Sequence, residues 1–281
     1  MSEPVGGVTR REVMRAGMMG AMGLLAGAAA PAWAGGRPYG PFHVGVQSYS
    51  LRAFGFDEAL AKTRALGLHY WEAFQAHIPL TEALEQQRNI LEKLRAARVR
   101  LMAWGVEGFD ADEAKARRVL GFARAMRIGT VTADPSPEAL PVLDRLTREY
   151  KVNIGIHNHG PGARYGSIAS LEAAVRDRGP RIGVCLDTGH LMRSGDDPVE
   201  AVRRLGKRLH ATHLKDVRNR TEFTEVGRGD MDTVGLFREL RKLRFPGIVA
   251  LEYEEHPDNP TPYMDLCLAA TRDAIDKSAM P

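Results

Sequence analysis

The chain has 281 residues, with 39 basic side chains, 35 acidic side chains and only two cysteines. Its formal net charge of +4 is small for this length, so the composition gives no indication of a nucleic-acid partner. Two cysteines are too few for a disulfide framework or a zinc ribbon. Cys185 lies in an apolar run and Cys267 in a helical pattern, as is typical of small buried side chains.

The N-terminal segment has the pattern of an export signal. Arg10 and Arg11 form a twin arginine, residues 17–30 are apolar, and Ala32-Trp33-Ala34 has the small-x-small form of a cleavage site. The apolar run is too short and too rich in Gly and Ala for a membrane anchor. We therefore expect residues 1–34 to be a twin-arginine signal that is removed. This interpretation predicts a periplasmic or extracellular protein with no membrane span after cleavage.

The remaining residues, 35–281, alternate between strand and helix patterns and contain no linker that would divide them. Eight short runs, many of them β-branched, have strand character: HVGVQSYS, LHYWEAF, VRLMAWG, IGTVTA, VNIGIH, RIGVCLD, LHATHLK and GIVALEY. Eight alternations within about 250 residues favour a closed (β/α)8 TIM barrel built as one α/β domain. Gly35 to Pro41 is expected to be a loose entry segment.

Helical periodicity fills the intervals between these strands. Residues 80–98 place Leu80, Leu84, Leu91 and Leu94 on one stripe, which predicts a long helix with that stripe buried. Similar patterns, three of them with a proline near the helix start, predict further helices. Their ranges are 57–66, 112–126, 137–150, 168–178, 198–205, 232–244 and 262–276.

Four potential metal ligands end the last four predicted strands. They are His157, Asp187, His213 and Glu252. In a barrel, the C-terminal strand ends meet at one rim, where active sites form. Two imidazoles and two carboxylates there would hold one divalent cation, with Mn²⁺, Co²⁺, Fe²⁺ or Zn²⁺ suited to such N/O ligands. The absence of thiolates argues against a structural zinc site.

Each ligand has an alternative interpretation. A histidine is often a core side chain with its ring nitrogens bonded, and an aspartate after a strand is often a helix N-cap. The apolar run before Asp187 favours the site, and an inward carboxylate at Glu252 would be costly without a cation. We expect Glu252, His159, His190 and Lys215 to be the catalytic candidates, whereas Glu254 and Glu255 are expected to be solvated.

Polar and aromatic residues near the other strand ends are candidates for substrate binding. Gln47, Tyr49, Glu72 and Trp104 come from the first three strands. Arg228 lies in the long loop after strand seven, within Gly227-Arg228-Gly229-Asp230. With Lys215, Arg218 and Arg220 it would form a basic rim for a phosphate, and the alternative is a solvated glycine turn.

The segments GVQSYSLR, HNHGP, CLDTGH, HLKD and LEYE resemble, in this order, the sugar phosphate isomerase/epimerase superfamily with a xylose isomerase-like barrel. The resemblance covers nearly all of the chain after the signal. It implies a Mn²⁺ or similar ion held by Glu, Asp, His and Glu, positions that fall on His157, Asp187, His213 and Glu252. His157 departs from the pattern. In such epimerases the first and the last Glu exchange protons with opposite faces of the sugar. Because His157 stands in place of the first Glu, the resemblance leaves His159, His190 or Lys215 as the second acid/base.

The function expected from this resemblance is a metal-dependent isomerase or epimerase. It would remove the proton alpha to a carbonyl of a sugar or keto-sugar. A lyase or hydrolase-type elimination on a 3-keto-glycoside is the first alternative, since it needs only one base. An endonuclease-like phosphodiesterase and a non-catalytic carbohydrate-binding protein are the others. The expected partner is a small carbohydrate, and the sequence leaves homo-oligomer formation open.

Overall fold

A computed structural model describes residues 38–280, so the predicted signal at residues 1–34 lies outside the described part of the chain. Eight parallel strands close into a barrel in the order β1-β10-β7-β6-β5-β4-β3-β2. The predicted eight-stranded α/β barrel is therefore confirmed. The barrel strands are β1 (His43–Gln47), β2 (Tyr70–Ala73), β3 (Arg100–Phe109), β4 (Thr130–Pro135), β5 (Asn153–His157), β6 (Ile182–Asp187), β7 (Leu209–Leu214) and β10 (Ile248–Leu251).

Helices pack around the outside of this barrel and bury one face against it. The first four are α1 (Phe56–Ala65), α2 (Leu84–Ala96), α3 (Glu113–Ala125) and α4 (Leu140–Tyr150). The others are α5 (Ile168–Val175), α6 (Thr188–Arg193), α7 (Pro198–Leu205), α8 (Thr233–Lys242) and α9 (Thr261–Lys277). None of the helices between residues 38 and 280 is long and apolar enough to cross a membrane.

Two helical predictions need correction. The helix expected over residues 80–98 begins only at Leu84, which is 65% exposed, so Leu80 and Leu84 do not belong to a buried helical stripe. The buried positions of α2 are Gln87 and Leu94. The short helix α6 was not predicted, because it begins directly after β6 and is only six residues long. It is too short to show helical periodicity in the sequence.

Trp104 belongs to the core rather than to a substrate site. Its side chain is fully buried, its indole N–H donates to the Ile78 carbonyl oxygen at 2.8 Å, and its ring meets Phe122 edge-on at 5.4 Å. The predicted role of Trp104 in substrate binding is therefore wrong. The sequence placed it near a strand end, but strand β3 continues for five residues beyond it, to Phe109.

The segment after β7 folds around one buried carboxylate. Strands β8 (Asp216–Arg218) and β9 (Glu222–Thr224) form an antiparallel hairpin, and the chain then returns past Asp216. The Asp216 carboxylate accepts the backbone N–H groups of Val217, Gly227, Gly229 and Met231 at 2.8–3.1 Å. A single side chain thus joins the start of the hairpin to residues 227–231, which follow it.

This arrangement contradicts the predicted phosphate rim. The N–H groups of Gly227 and Gly229 already donate to Asp216 and so are not free to bind a phosphate. Arg228 points away into solvent, with a side chain 57% exposed and 3.7 Å from the Glu225 carboxylate. The glycine turn is therefore held from within by Asp216, and Arg228 is solvated.

Replacing Asp216 with alanine should destabilise the protein. The substitution leaves four backbone donors without their acceptor, and because those of Val217 and Met231 are buried we expect the free energy of unfolding to fall by about 2–4 kcal/mol. Urea denaturation followed by circular dichroism measures the change. Asp230→Ala in the same loop is the control, since Asp230 is exposed and its loss should cost less than about 0.5 kcal/mol. Equal effects of the two substitutions would contradict this account of the loop.

Candidate active site

The four predicted ligands meet at the C-terminal mouth of the barrel. His157 and Asp187 are the last residues of β5 and β6, His213 lies near the end of β7, and Glu252 follows β10. The parallel register sets Asp187 beside His213. One ligand atom from each of the four residues lies within 4.8 Å of every other. The barrel therefore brings together side chains that are far apart in the sequence.

Individual distances identify the atoms that face one another. Nε2 of His157 lies 3.0 Å from Nδ1 of His213 and 3.5 Å from Oδ2 of Asp187. The same Nδ1 of His213 lies 3.0 Å from Oε2 of Glu252. The four facing atoms are thus two imidazole nitrogens and two carboxylate oxygens. This donor set fits a divalent transition metal or Mn²⁺.

Asp187 is both a helix cap and an inward-facing carboxylate. Its Oδ1 accepts the backbone N–H of His190 at 2.7 Å, which caps α6, while Oδ2 remains directed at the cluster. Asn158 fixes the Asp187 backbone: its side-chain amide donates to the Asp187 carbonyl at 2.9 Å and accepts the Asp187 N–H at 2.8 Å. The sequence left open whether Asp187 is a helix N-cap or a metal ligand, and this geometry allows both.

A buried ammonium balances these carboxylates. Nζ of Lys215 lies 3.2 Å from Oδ2 of Asp187 and 3.0 Å from Oε2 of Glu252, and it also pairs with Glu254. Burial would lower the pKa of Lys215, but the charges of Asp187, Glu252 and Glu254 outweigh it and raise that pKa. Lys215 is therefore a cation at neutral pH, able to donate a proton or to bind an anionic oxygen.

The same electrostatics decide the charges of the other groups. Burial would raise the pKa values of Asp187 and Glu252, but Lys215 foremost holds both below their usual range. Burial lowers the pKa of His157 to about 4, so its ring is neutral at pH 7 and has a lone pair to offer. Burial likewise lowers the pKa of His190.

The pKa of His213 shifts in the opposite direction to those of His157 and His190. Burial works to lower its pKa, yet neighbouring charge raises it above the usual value. Cys185 lies beside it, but burial raises the pKa of that thiol to about 12, so the thiol is uncharged at neutral pH. The stabilising charges are therefore the Glu72 and Glu252 carboxylates, each with an oxygen 3.0 Å from a ring nitrogen of His213.

A cavity of about 330 Å³ opens onto this cluster. Lys215 and Glu252 form part of its wall, and the rings of His159 and His190 stand 5.7 Å apart at its edge. His159 is the more exposed of the two, at 42%. The full lining is Gln47, Tyr49, Phe74, Gly105, Val106, His157, His159, His190, Lys215, Glu252 and Glu254. The catalytic candidates from the sequence all face this one space.

The predicted substrate-binding residues divide into two groups. Gln47 and Tyr49 line the cavity, and Oε1 of Gln47 accepts the Tyr49 backbone N–H at 3.1 Å. Glu72, Trp104 and Arg228 do not line it. For Glu72 this corrects the prediction, because its carboxylate is fully buried behind His213 and accepts the Thr132 hydroxyl at 2.5 Å.

Among the residues at the site that were not found from the sequence, two lie against Lys215. Glu254 was expected to be solvated, but it pairs with Lys215 and is 31% exposed. Its position two residues after Glu252, on the same face of an extended chain, was the available signal. Phe223, on strand β9, lies with its ring 5.1 Å from Nζ of Lys215 and 5.4 Å from the His190 ring. No sequence signal foretold the hairpin that carries it.

Comparison with known proteins agrees with this architecture. Residues 136–271 match the family model of xylose isomerase-like TIM barrels. Inosose dehydratase from Clostridium tetani is 26% identical over 163 residues, 51% of this chain and 54% of that protein. The chain thus spans about half the length of this curated relative.

Solved structures show the same fold over most of the chain. An uncharacterised protein from Parabacteroides distasonis, 25% identical, superposes with a TM-score of 0.67 over 83% of this chain and 99% of that one. The probable 3-DHS dehydratase AsbF from Bacillus anthracis, 17% identical, superposes with a TM-score of 0.66 over 81% of this chain and 97% of that one. The closed barrel and the match over residues 136–271 show that this chain has the xylose isomerase-like TIM barrel fold.

Proposed function

We propose that this chain is a metal-dependent enzyme that removes the proton alpha to a carbonyl of a sugar or keto-sugar. The observation that carries the proposal is the convergence of two imidazoles, two carboxylates and the Lys215 ammonium in one cluster, of which His157, Glu252 and Lys215 line the cavity. The cavity volume of about 330 Å³ lies at the low end of the range for small-molecule sites, about 300–1,000 Å³. This size suits a substrate as small as a monosaccharide.

Loss of a substituent from the carbon next to the carbanion is the outcome that we favour. The similarity to an inosose dehydratase supports a lyase reaction, in which water leaves a polyhydroxy ketone. His157 supports it as well, since an imidazole there leaves fewer carboxylates for a symmetric exchange of protons on two faces. The isomerase or epimerase outcome predicted from the sequence begins with the same proton abstraction.

His157, Asp187, His213 and Glu252 are the residues that would hold the cation. Their facing atoms are two nitrogens and two oxygens, and Oδ2 of Asp187 and Oε2 of Glu252 accept no hydrogen bond of regular geometry from the described residues. A divalent cation bound there supplies Lewis-acid polarisation of the substrate carbonyl. Mn²⁺ is the first candidate, with Co²⁺, Fe²⁺ and Zn²⁺ as alternatives.

Elimination needs one group that accepts a proton and one that donates. His190 has a pKa lowered by burial, so its neutral ring can accept the proton from carbon. The electron pair of the broken C–H bond forms the new C=C bond, and the leaving hydroxyl or alkoxyl oxygen takes a proton. Lys215, a cation beside the cavity, is placed to supply that proton or to hold the oxygen. His159 and Glu252 face the same space and are the further acid/base candidates.

Export remains part of the proposal. The twin arginine and the apolar segment within residues 1–34 support a periplasmic or extracellular enzyme. The twin-arginine route would carry a folded protein that already contains its metal. A small carbohydrate is the proposed partner, and homo-oligomer formation is left to measurement.

Asp187→Asn should abolish tight metal binding. The amide can still cap α6 through its oxygen, but the charged ligand is lost, and we expect the Mn²⁺ affinity to fall by more than about 100-fold, beyond the usual effect of an outer-sphere change. Metal analysis of the purified protein and calorimetric titration with MnCl₂ measure it. Asp197→Asn, which alters the cap of α7 outside the cavity, is the matched control. Unchanged metal content in Asp187→Asn would exclude this residue as a ligand.

Metal-loaded protein should exchange the alpha proton of a keto-sugar. Incubation in D₂O with 3-keto-glucosides and an inosose, followed by ¹H NMR, should show loss of the alpha-proton signal for at least one compound. Elimination adds vinyl proton signals of a conjugated enone, whereas epimerisation gives a stereoisomer of the substrate. No exchange with any of these compounds in the metal-loaded protein would refute the proposed chemistry.

Lys215→Met should separate catalysis from metal binding. The methionine keeps an unbranched apolar stem but removes the ammonium, and we expect kcat to fall by about 10²–10⁴-fold, as for loss of a general acid. Mn²⁺ affinity should stay equal or rise, because a competing cation beside Asp187 and Glu252 is gone. Steady-state kinetics at saturating metal test the first expectation. Full activity of Lys215→Met would remove Lys215 from the mechanism.

A further inference from the structure

Glu72 and His213 form a buried pair across the barrel interior. Glu72 lies on β2 and His213 on β7, strands that are separated by β1 and β10 in the barrel order. Both side chains are 0% exposed, and Oε1 of Glu72 lies 3.0 Å from Nε2 of His213. This contact is on the side of the imidazole ring opposite to the cavity, because Nδ1 of His213 faces His157 and Glu252.

The Glu72 carboxylate has no other charged partner among residues 38–280. The Thr132 hydroxyl donates to the same Oε1 at 2.5 Å, and Oε2 is buried without a hydrogen bond from any described residue. A buried carboxylate without a cation costs on the order of several kcal/mol. Nε2 of His213 is the group that faces Glu72, at a distance of 3.0 Å, although this contact does not have the geometry of a regular hydrogen bond.

A cation bound at Nδ1 would leave the hydrogen of the neutral ring on Nε2, the nitrogen that faces Glu72. Nδ1 is the atom that lies among Nε2 of His157, Oδ2 of Asp187 and Oε2 of Glu252. A carboxylate behind a ligating imidazole fixes the ring orientation and the tautomer and raises the basicity of the ligating nitrogen, an effect commonly worth 10–100-fold in metal affinity. Thr132 in turn fixes the carboxylate.

We infer that Glu72 is a positioning residue for the cation, acting through His213, rather than a residue that binds substrate. The inference rests on the proposed function only in that His213 is a metal ligand. It assigns to β2, which contributes no ligand of its own, the task of orienting the ligand from β7. Glu72 would therefore change metal affinity without touching the substrate.

Two substitutions of Glu72 test this role. Glu72→Gln keeps an oxygen that accepts the Nε2–H but removes the charge, and we expect about tenfold weaker Mn²⁺ binding. Glu72→Leu removes both, and we expect about 100-fold weaker binding. Calorimetric titration measures the affinity, and the visible absorption of the Co²⁺-loaded proteins reports the ligand geometry. A graded loss, with Gln between wild type and Leu, is the result that supports positioning.

Glu107→Gln is the matched control. Glu107 lies on β3 and is also a nearly buried carboxylate, but it pairs with Lys115 at 2.8 Å and does not contact His213. The control should bind Mn²⁺ within about twofold of wild type. Folded Glu72 variants, verified by cooperative thermal unfolding, that also bind Mn²⁺ within twofold of wild type would overturn the inference.

A measurement on the wild-type protein covers the case in which the Glu72 variants do not fold. In protein loaded with Zn²⁺ and labelled with ¹⁵N, the His213 ring should show a slowly exchanging Nε2–H and a metal-bound Nδ1. Metal bound through Nε2 would overturn the inference, as would a wild-type protein that binds none of Mn²⁺, Co²⁺ and Zn²⁺. Metal binding that depends on Glu72, without turnover of any keto-sugar, would refute the proposed reaction and leave the role of Glu72 standing.

Discussion

The arrangement on which the site depends is the balance of buried charge at the barrel mouth. Asp187 and Glu252 face the Lys215 ammonium, and Glu72 faces the His213 ring, with all three contacts between 3.0 and 3.2 Å. Each of these ions would cost several kcal/mol to bury alone, so the pairs are stable only as a set. Removing one charge changes the protonation of its neighbours, which is why the pKa values of Asp187, His213 and Lys215 all shift.

The direction of the barrel strands explains why the buried charges lie at the C-terminal end of the barrel. Parallel strands point their C-terminal ends to one rim, so polar residues that follow apolar strand interiors meet there. The strand interiors supply the rigid frame: Val184, Leu186 and Ile156 are fully buried beside the cluster. Asn158 and Thr188 then tie the ends of β5, β6 and β7 together, the hydroxyl of Thr188 donating to the Lys215 carbonyl at 2.6 Å. The side chains of Asn158 and Thr188 thus hold the backbone ends of three strands at the rim where the charged groups meet.

The hairpin after β7 covers one side of the site. Asp216 holds the returning chain, and the hairpin places Phe223 against Lys215 and His190. An aromatic ring there excludes water from one side of the ammonium, which strengthens its interaction with the carboxylates. The glycine-rich loop that resembles an anion site is instead part of this internal scaffold. One carboxylate thus shapes the loop that covers the charged cluster.

The sequence determined the alternation of strands and helices, and with it the closed barrel and the four side chains at the ends of its last four strands. Periodicity and strand-end position are local properties, so no knowledge of distant contacts was needed. The tertiary structure decided the partners: Glu72 behind His213, Glu254 on Lys215, Asp216 inside its loop, Trp104 in the core. Each of these depends on which residues of distant segments approach within about 3 Å, and on the direction of each side chain. Those quantities are set by barrel closure and packing, which strand patterns alone do not encode.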